Sequence, residues 1–176
     1  MSLINQKQTK NWSILLHDIR SVQNVASIFR LAEVFGVSKI VLSGVTPGPH
    51  DRFGRVREDF VKISLGAEKS VEWIRLGSGQ NEDPESFENL KKYIEDFKKE
   101  EGMVLALEQN HESMDYREYK IETGKKYLVL PGREREGMEE NILKLCDNVL
   151  EIPQYGEKES LNIFSAVSIL VSRLFG

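Results

Sequence analysis

Short apolar runs of strand length alternate with segments of helical period along almost the whole chain, and this alternation most constrains how the chain can fold. Trp12 to Leu16 reads as a first strand, apolar rather than alternating. From Val22 to Phe35 the period becomes helical: Val25, Ile28, Phe29, Ala32 and Phe35 form one face, and Gly36 ends the helix. Lys39 to Ser43 is a β-branched second strand, followed by a turn-rich loop from Gly44 to Gly54. Two further strands are expected at Val61–Leu65 and Val71–Ile74. Asp83 and Pro84 supply an N-cap and a first-turn proline for a charged helix reaching about Lys99. Met103–Glu108 and Tyr127–Leu130 are buried-type strands, Met138–Leu145 a helix, Asn148–Ile152 a last strand and Leu161–Phe175 a closing helix. Unbroken apolar strands imply a sheet covered on both faces. The fold class is therefore α/β, with a mostly parallel sheet between helices.

The length, 176 residues, suits one domain, and no linker-like composition divides it. The longest apolar run, Met103 to Leu107, is far too short to cross a bilayer. The polar first residues lack a signal-peptide core, and the one cysteine, Cys146, fits a reducing compartment; the expected location is cytoplasmic. His17, His50 and His111 are scattered without cysteine partners, so no metal site is expected. Net charge is −4, yet the acidic excess sits in residues 82–101, with eight acids against four bases. The remaining chain is balanced and holds a local cluster, Arg52, Arg55 and Arg57, with Phe53 among them. Local potential matters more for binding than the total, and this loop is a candidate RNA contact; a solvated surface is the plainer reading.

No phosphate loop and no dinucleotide fingerprint occurs. What occurs is glycine at strand ends. Gly132-Arg133-Glu134-Arg135-Glu136-Gly137 directly follows the strand Tyr127–Leu130, where ligands bind in open α/β sheets. Ile152-Pro153-Gln154-Tyr155-Gly156 follows the next strand, and Ser160-Leu161-Asn162 opens the closing helix, with Ser160 a possible N-cap. That helix is apolar nearly all round, which implies burial either within its own monomer or by a second subunit.

Three segments, in order, resemble the motifs of the SpoU/TrmH family of RNA ribose methyltransferases. They are Asn24-Val25-Ala26-Ser27-Ile28-Phe29-Arg30 with Phe35-Gly36; Gly132-x-Glu134-x-x-Gly137; and Ile152-Pro153-x-x-Gly156 with Ser160-Leu161-Asn162. The resemblance runs from about His17 to Arg173. It implies a SPOUT-type fold with a C-terminal deep trefoil knot, S-adenosylmethionine as cofactor, and a homodimer with active sites near its interface. By motif position the cofactor pocket falls at Gly132, Gly137, Ile152, Gly156 and Leu161. The family's catalytic arginine falls on Arg30, with Asn24, Glu134, Ser160 and Asn162 at its other functional polar positions. Ala26, Pro131 and Gln154 depart from the family pattern; Gln154 falls on the adenine side of the pocket. No fused RNA-recognition domain of the kind in longer relatives is expected, and the expectation is a single catalytic domain over 1–176.

The implied reaction is transfer of a sulfonium methyl group to a ribose 2′-hydroxyl in RNA, with tRNA favoured over rRNA. Arginine stays protonated at neutral pH, so Arg30 either acts with a neighbouring phosphate or stabilises charge on the oxygen. Two other readings compete. One is a non-catalytic RNA-binding or assembly protein on the same fold, and the other is an unrelated doubly wound domain such as a flavin carrier.

Overall fold

Ile14, Leu15 and Leu16 are all fully buried, which successive strand residues achieve only with cover on both faces of the sheet. The computed structural model describes residues 11–79, 85–133, 137–157 and 160–176. Its elements run β1 (Trp12–His17), α1 (Val22–Phe35), β2 (Lys39–Ser43), α2 (Glu58–Ser64), α3 (Ala67–Ser70) and β3 (Trp73–Arg75). They continue with α4 (Ser86–Lys99), β4 (Gly102–Leu107), β5 (Met114–Asp115), β6 (Lys126–Pro131), α5 (Glu140–Leu143), β7 (Asn148–Glu151) and α6 (Ile163–Phe175).

The strands form one seven-stranded sheet in the order β3-β2-β1-β6-β4-β7-β5, every pairing parallel. Ile14 lies level with Ile40 on one side and Val129 on the other. The chain moves outward from β1 to β3, crosses to place β4, and then inserts β6 between β1 and β4. All strands point one way, so the loops after them gather at one edge. This is the edge where an open parallel sheet offers a crevice.

Alternation within each strand splits the core in two. Ile14, Leu16, Ile40, Leu42 and Val129 pack with α1, Phe60 of α2 and Ala67 of α3, and with Val167, Leu170 and Val171 of α6. Leu15, Val41, Val104, Leu128 and Leu130 pack with Leu90 and Ile94 of α4 and Ile142 of α5. The charged helix α4 thus covers the second face, opposite α1 and α6.

Several expectations need correction. Residues 61–64 belong to helix α2, not to a strand: Phe60 and Ser64 are buried four positions apart, and the polar Ser64 hides that period in the sequence. Leu65 ends α2 in a left-handed conformation and is 65% exposed. The strand expected at Val71–Ile74 is Trp73–Arg75. The helix expected over Met138–Leu145 is one turn, Glu140–Leu143, because Gly137 is left-handed and Met138 N–H is held by a carboxylate outside the helix. The proposed cap at Asp83 and Pro84 lies outside the described residues. The cap of α6 is Asn162, not Ser160: its side chain accepts from Phe164 N and Ser165 N. Finally, α6 is not covered on all sides by its own chain. Ile169 is 36% exposed and Ser172 and Arg173 face outward, while Phe175 stacks on Trp12 at 4.4 Å between ring centres.

Candidate functional site

Gly132 follows β6 at the sheet's carboxyl edge, its N–H donating to Leu107 O at 3.0 Å. There it lines a cleft with Glu108, Arg133, Ile152, Ser160 and Leu161, over an apolar floor that includes Leu107, Ile163 and Ala166. The cleft is thus built from the ends of β4, β6 and β7 and the segment leading into α6, residues that are far apart in sequence. A Cβ on Gly132 would lie 2.0 Å from Glu108 Oε2, so any side chain there must push that carboxylate aside. Glu108 also accepts from Met138 N at 2.7 Å and Gln109 N at 2.9 Å, and its Oε2 stands 3.1 Å from where a Cβ on Gly137 would sit. One carboxylate therefore lies against Gly132 and holds the segment after β6 at Met138.

Sequence reasoning missed Glu108. It ends the apolar run Met103–Leu107, and the reading absorbed it into the strand. An acid placed directly after a buried strand, at the edge where glycine turns collect, was the available signal.

Asn24 and Asn162 meet although 138 positions separate them: Asn162 Nδ2 donates to Asn24 Oδ1 at 3.0 Å. Asn24 is 8% exposed and its N–H is held by the cap residue Ser21 at 3.2 Å. Asn162 fixes the start of α6 with its carboxamide oxygen and spends its amide protons on α1. The first and third motif segments are thereby tied together.

Arg30 is exposed on α1, outside the residues that line the cleft, and makes no hydrogen bond or ion pair among the described residues. Gly156 and Gln154 do not line the cleft either, and a Cβ on Gly156 would meet nothing within 4 Å. Glu134 lies outside the described residues. Of the arginine cluster, Arg52, Phe53, Arg55 and Arg57 line a different groove on the β2 side of the same edge.

Between the two lies the end of β1. Asp18, in a left-handed conformation, accepts from Val45 N at 3.0 Å, and its Oδ2 is 3.8 Å from Arg133 Nη1 and 3.4 Å from His17 Nε2. Burial pushes the His17 imidazole below its ordinary pKa, against the pull of Asp18 and Glu139 and with a smaller downward push from Arg133. His17 Nδ1 lies 3.1 Å from Ser43 Oγ. Burial pushes the Cys146 thiol up to about 12, so it is no nucleophile at neutral pH. No cluster able to hold a metal occurs among the described residues.

The model of the SpoU rRNA Methylase family matches residues 11–172. A mouse protein described as tRNA (guanosine(18)-2'-O)-methyltransferase TARBP1 is 30% identical over 148 residues, which is 84% of this chain and 8% of that protein. A putative TrmH family tRNA/rRNA methyltransferase of Staphylococcus aureus is 27% identical over 98% of this chain; the chain spans 62% of its length. Among solved structures, an AdoMet-bound rRNA methyltransferase from Sinorhizobium meliloti superposes with a TM-score of 0.72. It is 24% identical, over 96% of this chain and 57% of that one. The TrmH/SpoU tRNA modifying enzyme of A. aeolicus gives the same TM-score at 20% identity, over 95% of this chain and 75% of that one. These structures share the fold. With the family model spanning nearly the whole chain, this protein belongs to the SpoU rRNA methylase family of RNA methyltransferases.

Proposed function

We propose that the chain methylates a ribose 2′-hydroxyl of RNA, with tRNA preferred over rRNA and S-adenosylmethionine as the methyl donor. The observation that carries this reading is the meeting of the motif segments: Gly132, Ile152, Ser160 and Leu161 share one cleft, and Asn162 bonds to Asn24. Family membership, the 2'-O-methyltransferase named among the relatives and the AdoMet-bound neighbour support it.

The cleft suits the cofactor. Gly132 brings bare backbone to its wall beside the Glu108 carboxylate, and apolar side chains floor it. Glu108 and Glu151 bring acceptors and negative charge to a ligand that carries hydroxyls, an amino group and a sulfonium. Gly132, Gly137, Ile152 and Leu161 would hold it, with Gly156 at the rim. When bound, it supplies an electrophilic methyl group.

Arg30 would stabilise the negative charge that develops on the ribose oxygen as its proton leaves. Asn24, held by Asn162, would orient that end of α1, while Ser160 and Glu134 would position the ribose. The exposed Arg30 does not line its own chain's cleft, so the complete site takes Arg30 from a second copy, in a homodimer with its C-terminal segment in the knotted path. Arg52, Phe53, Arg55 and Arg57 would contact the RNA. A cytoplasmic location completes the proposal.

Calorimetry with S-adenosylmethionine and transfer of labelled methyl groups to total tRNA test it together. Saturable cofactor binding and a 2′-O-methylated nucleotide after digestion are expected. Arg30→Ala should keep cofactor affinity and lose transfer by about 100-fold or more, the scale of one lost charge-stabilising group. Cofactor and RNA binding without transfer would leave the assembly-protein reading in its place.

A further inference from the structure

Arg75 is a half-buried cation that the cleft at Gly132 does not explain. It ends β3 half-buried, and its Nη2 donates to Thr46 O at 2.7 Å. Its Nη1 is buried with no hydrogen-bond partner, and no carboxylate pairs with it among the described residues. Burial alone pushes its guanidinium down from the ordinary value. Two glycines let the backbone approach it closely. A Cβ on Gly79 would stand 2.6 Å from Nη1, and one on Gly48 would stand 3.1 Å from Nη2. A guanidinium fixed in a slot with donors to spare is an arrangement that folded proteins seldom leave unused, because a buried donor without an acceptor is costly.

The surroundings indicate what the acceptor belongs to. Arg75 lines a groove with His50, Arg52, Phe53, Arg55 and Trp73. Arg55 is compensated by Asp51 at 2.7 Å and Arg57 by Asp59 at 2.9 Å. Arg52 has no carboxylate partner among the described residues and lies over the Phe53 ring at 4.7 Å. The uncompensated charge therefore comes from Arg52 and Arg75. Phe53 is 67% exposed, and His50 stacks on Trp73 with ring centres 6.2 Å apart. Cations without carboxylate partners beside the exposed Phe53 ring and the half-buried Trp73 suit a single-stranded nucleic acid, whose phosphates and unpaired bases need both. An acidic peptide would use the cations and leave the rings idle.

The groove and the Gly132 cleft open at the same edge of the sheet with β1 between them. β2 and β6 are two strand spacings apart and β3 and β4 four, which is roughly 10–19 Å. A single RNA strand can occupy both. Resting on the RNA methyltransferase reading above, we propose that this groove is a subsite for a nucleotide flanking the methylated one. Arg75 and Arg52 seat its phosphate, and Phe53 and Trp73 take its unpaired base.

The chain has two tryptophans, and Trp12 is 1% exposed, so Trp73 reports on the groove. Titrating the full chain with a uridine oligonucleotide of about eight nucleotides should quench tryptophan emission. Arg75→Met should weaken that binding about tenfold, and Phe53→Ala, at an exposed position outside the core whose ring carries Arg52 and Arg55, by about fivefold. Affinity for S-adenosylmethionine, read by calorimetry, should match the parent in both variants. Three results would each overturn the proposal: no quenching, parent-like RNA affinity in Phe53→Ala and in a folded Arg75→Met, or equal binding of an octaglutamate peptide. Failure of the underlying reading looks different, since the parent chain then binds no S-adenosylmethionine whatever RNA does at Trp73.

Discussion

At the scale of single residues, the contact between Gly132 and Glu108 decides how tightly the cleft is built. Any side chain at 132 displaces a carboxylate that holds Met138 N and Gln109 N. Gly132→Val should cost about 1–3 kcal/mol of stability, the usual range for overpacking, and lower cofactor affinity by about 10–100-fold. Adding Glu108→Ala should recover part of the stability and none of the affinity; thermal unfolding and calorimetry separate the two effects. His17 offers a pH test. Its folded-state pKa lies below the unfolded value, so the unfolded chain binds the proton first as pH falls. Its contribution is fully present above the ordinary imidazole range and is lost as pH falls through that range towards the folded value. Stability should therefore decline on acidification from neutral pH, and His17→Gln should flatten that decline in urea titrations at several pH values.

At the scale of elements, α6 is placed by its cap. Asn162 satisfies two N–H groups of the helix and also donates to Asn24, which is buried beside Ser21 at the start of α1. Asn162→Ala removes the cap, worth about 1 kcal/mol, and leaves the Asn24 oxygen without its donor at a comparable cost. A loss of about 2 kcal/mol should appear as a fall of about 4–8 °C in Tm. Asn162→Asp keeps the cap acceptor and loses only the bond to Asn24, so it should recover about half of that fall. Elements also show where periodicity was readable. α1 and β2 have the bounds read from their apolar residues, because their buried positions are almost all apolar. Residues 58–64 escaped because a serine occupies a core position, and the helix read over Met138–Leu145 is shorter, Glu140–Leu143, because Met138 N–H is bound from outside it.

At the scale of the whole molecule, assembly turns on the outward face of α6. α6 buries Val167, Leu170, Val171 and Leu174 in its own core, while Ser165, Ile169 and Ser172 form a stripe facing outward. Ile169→Arg should leave the fold intact, since the side chain is 36% exposed, and convert a dimer to a monomer in light scattering at micromolar concentration. Loss of methyl transfer should accompany that change. Activity restored by mixing Arg30→Ala with a cleft variant such as Gly132→Val would show that two copies build one site. A parent chain that is monomeric at these concentrations would sink this arrangement.

What the amino-acid order determined by itself was the alternation that makes a two-faced parallel sheet, the ends of α1, and the three segments that carry the family motifs. These are local properties: a spacing of apolar side chains, a glycine that alone adopts a left-handed turn, and residue types at short separation. The tertiary structure decided what no local window holds. It inserted β6 between β1 and β4, brought Glu108 against Gly132 and Gly137, bonded Asn24 to Asn162 and left Arg75 with an unused donor in a glycine-walled slot. The physical reason is that pairing partners and buried neighbours are chosen by where strands and helices pack. A single residue's chemistry sets what it can bind, and the fold alone sets what stands within reach.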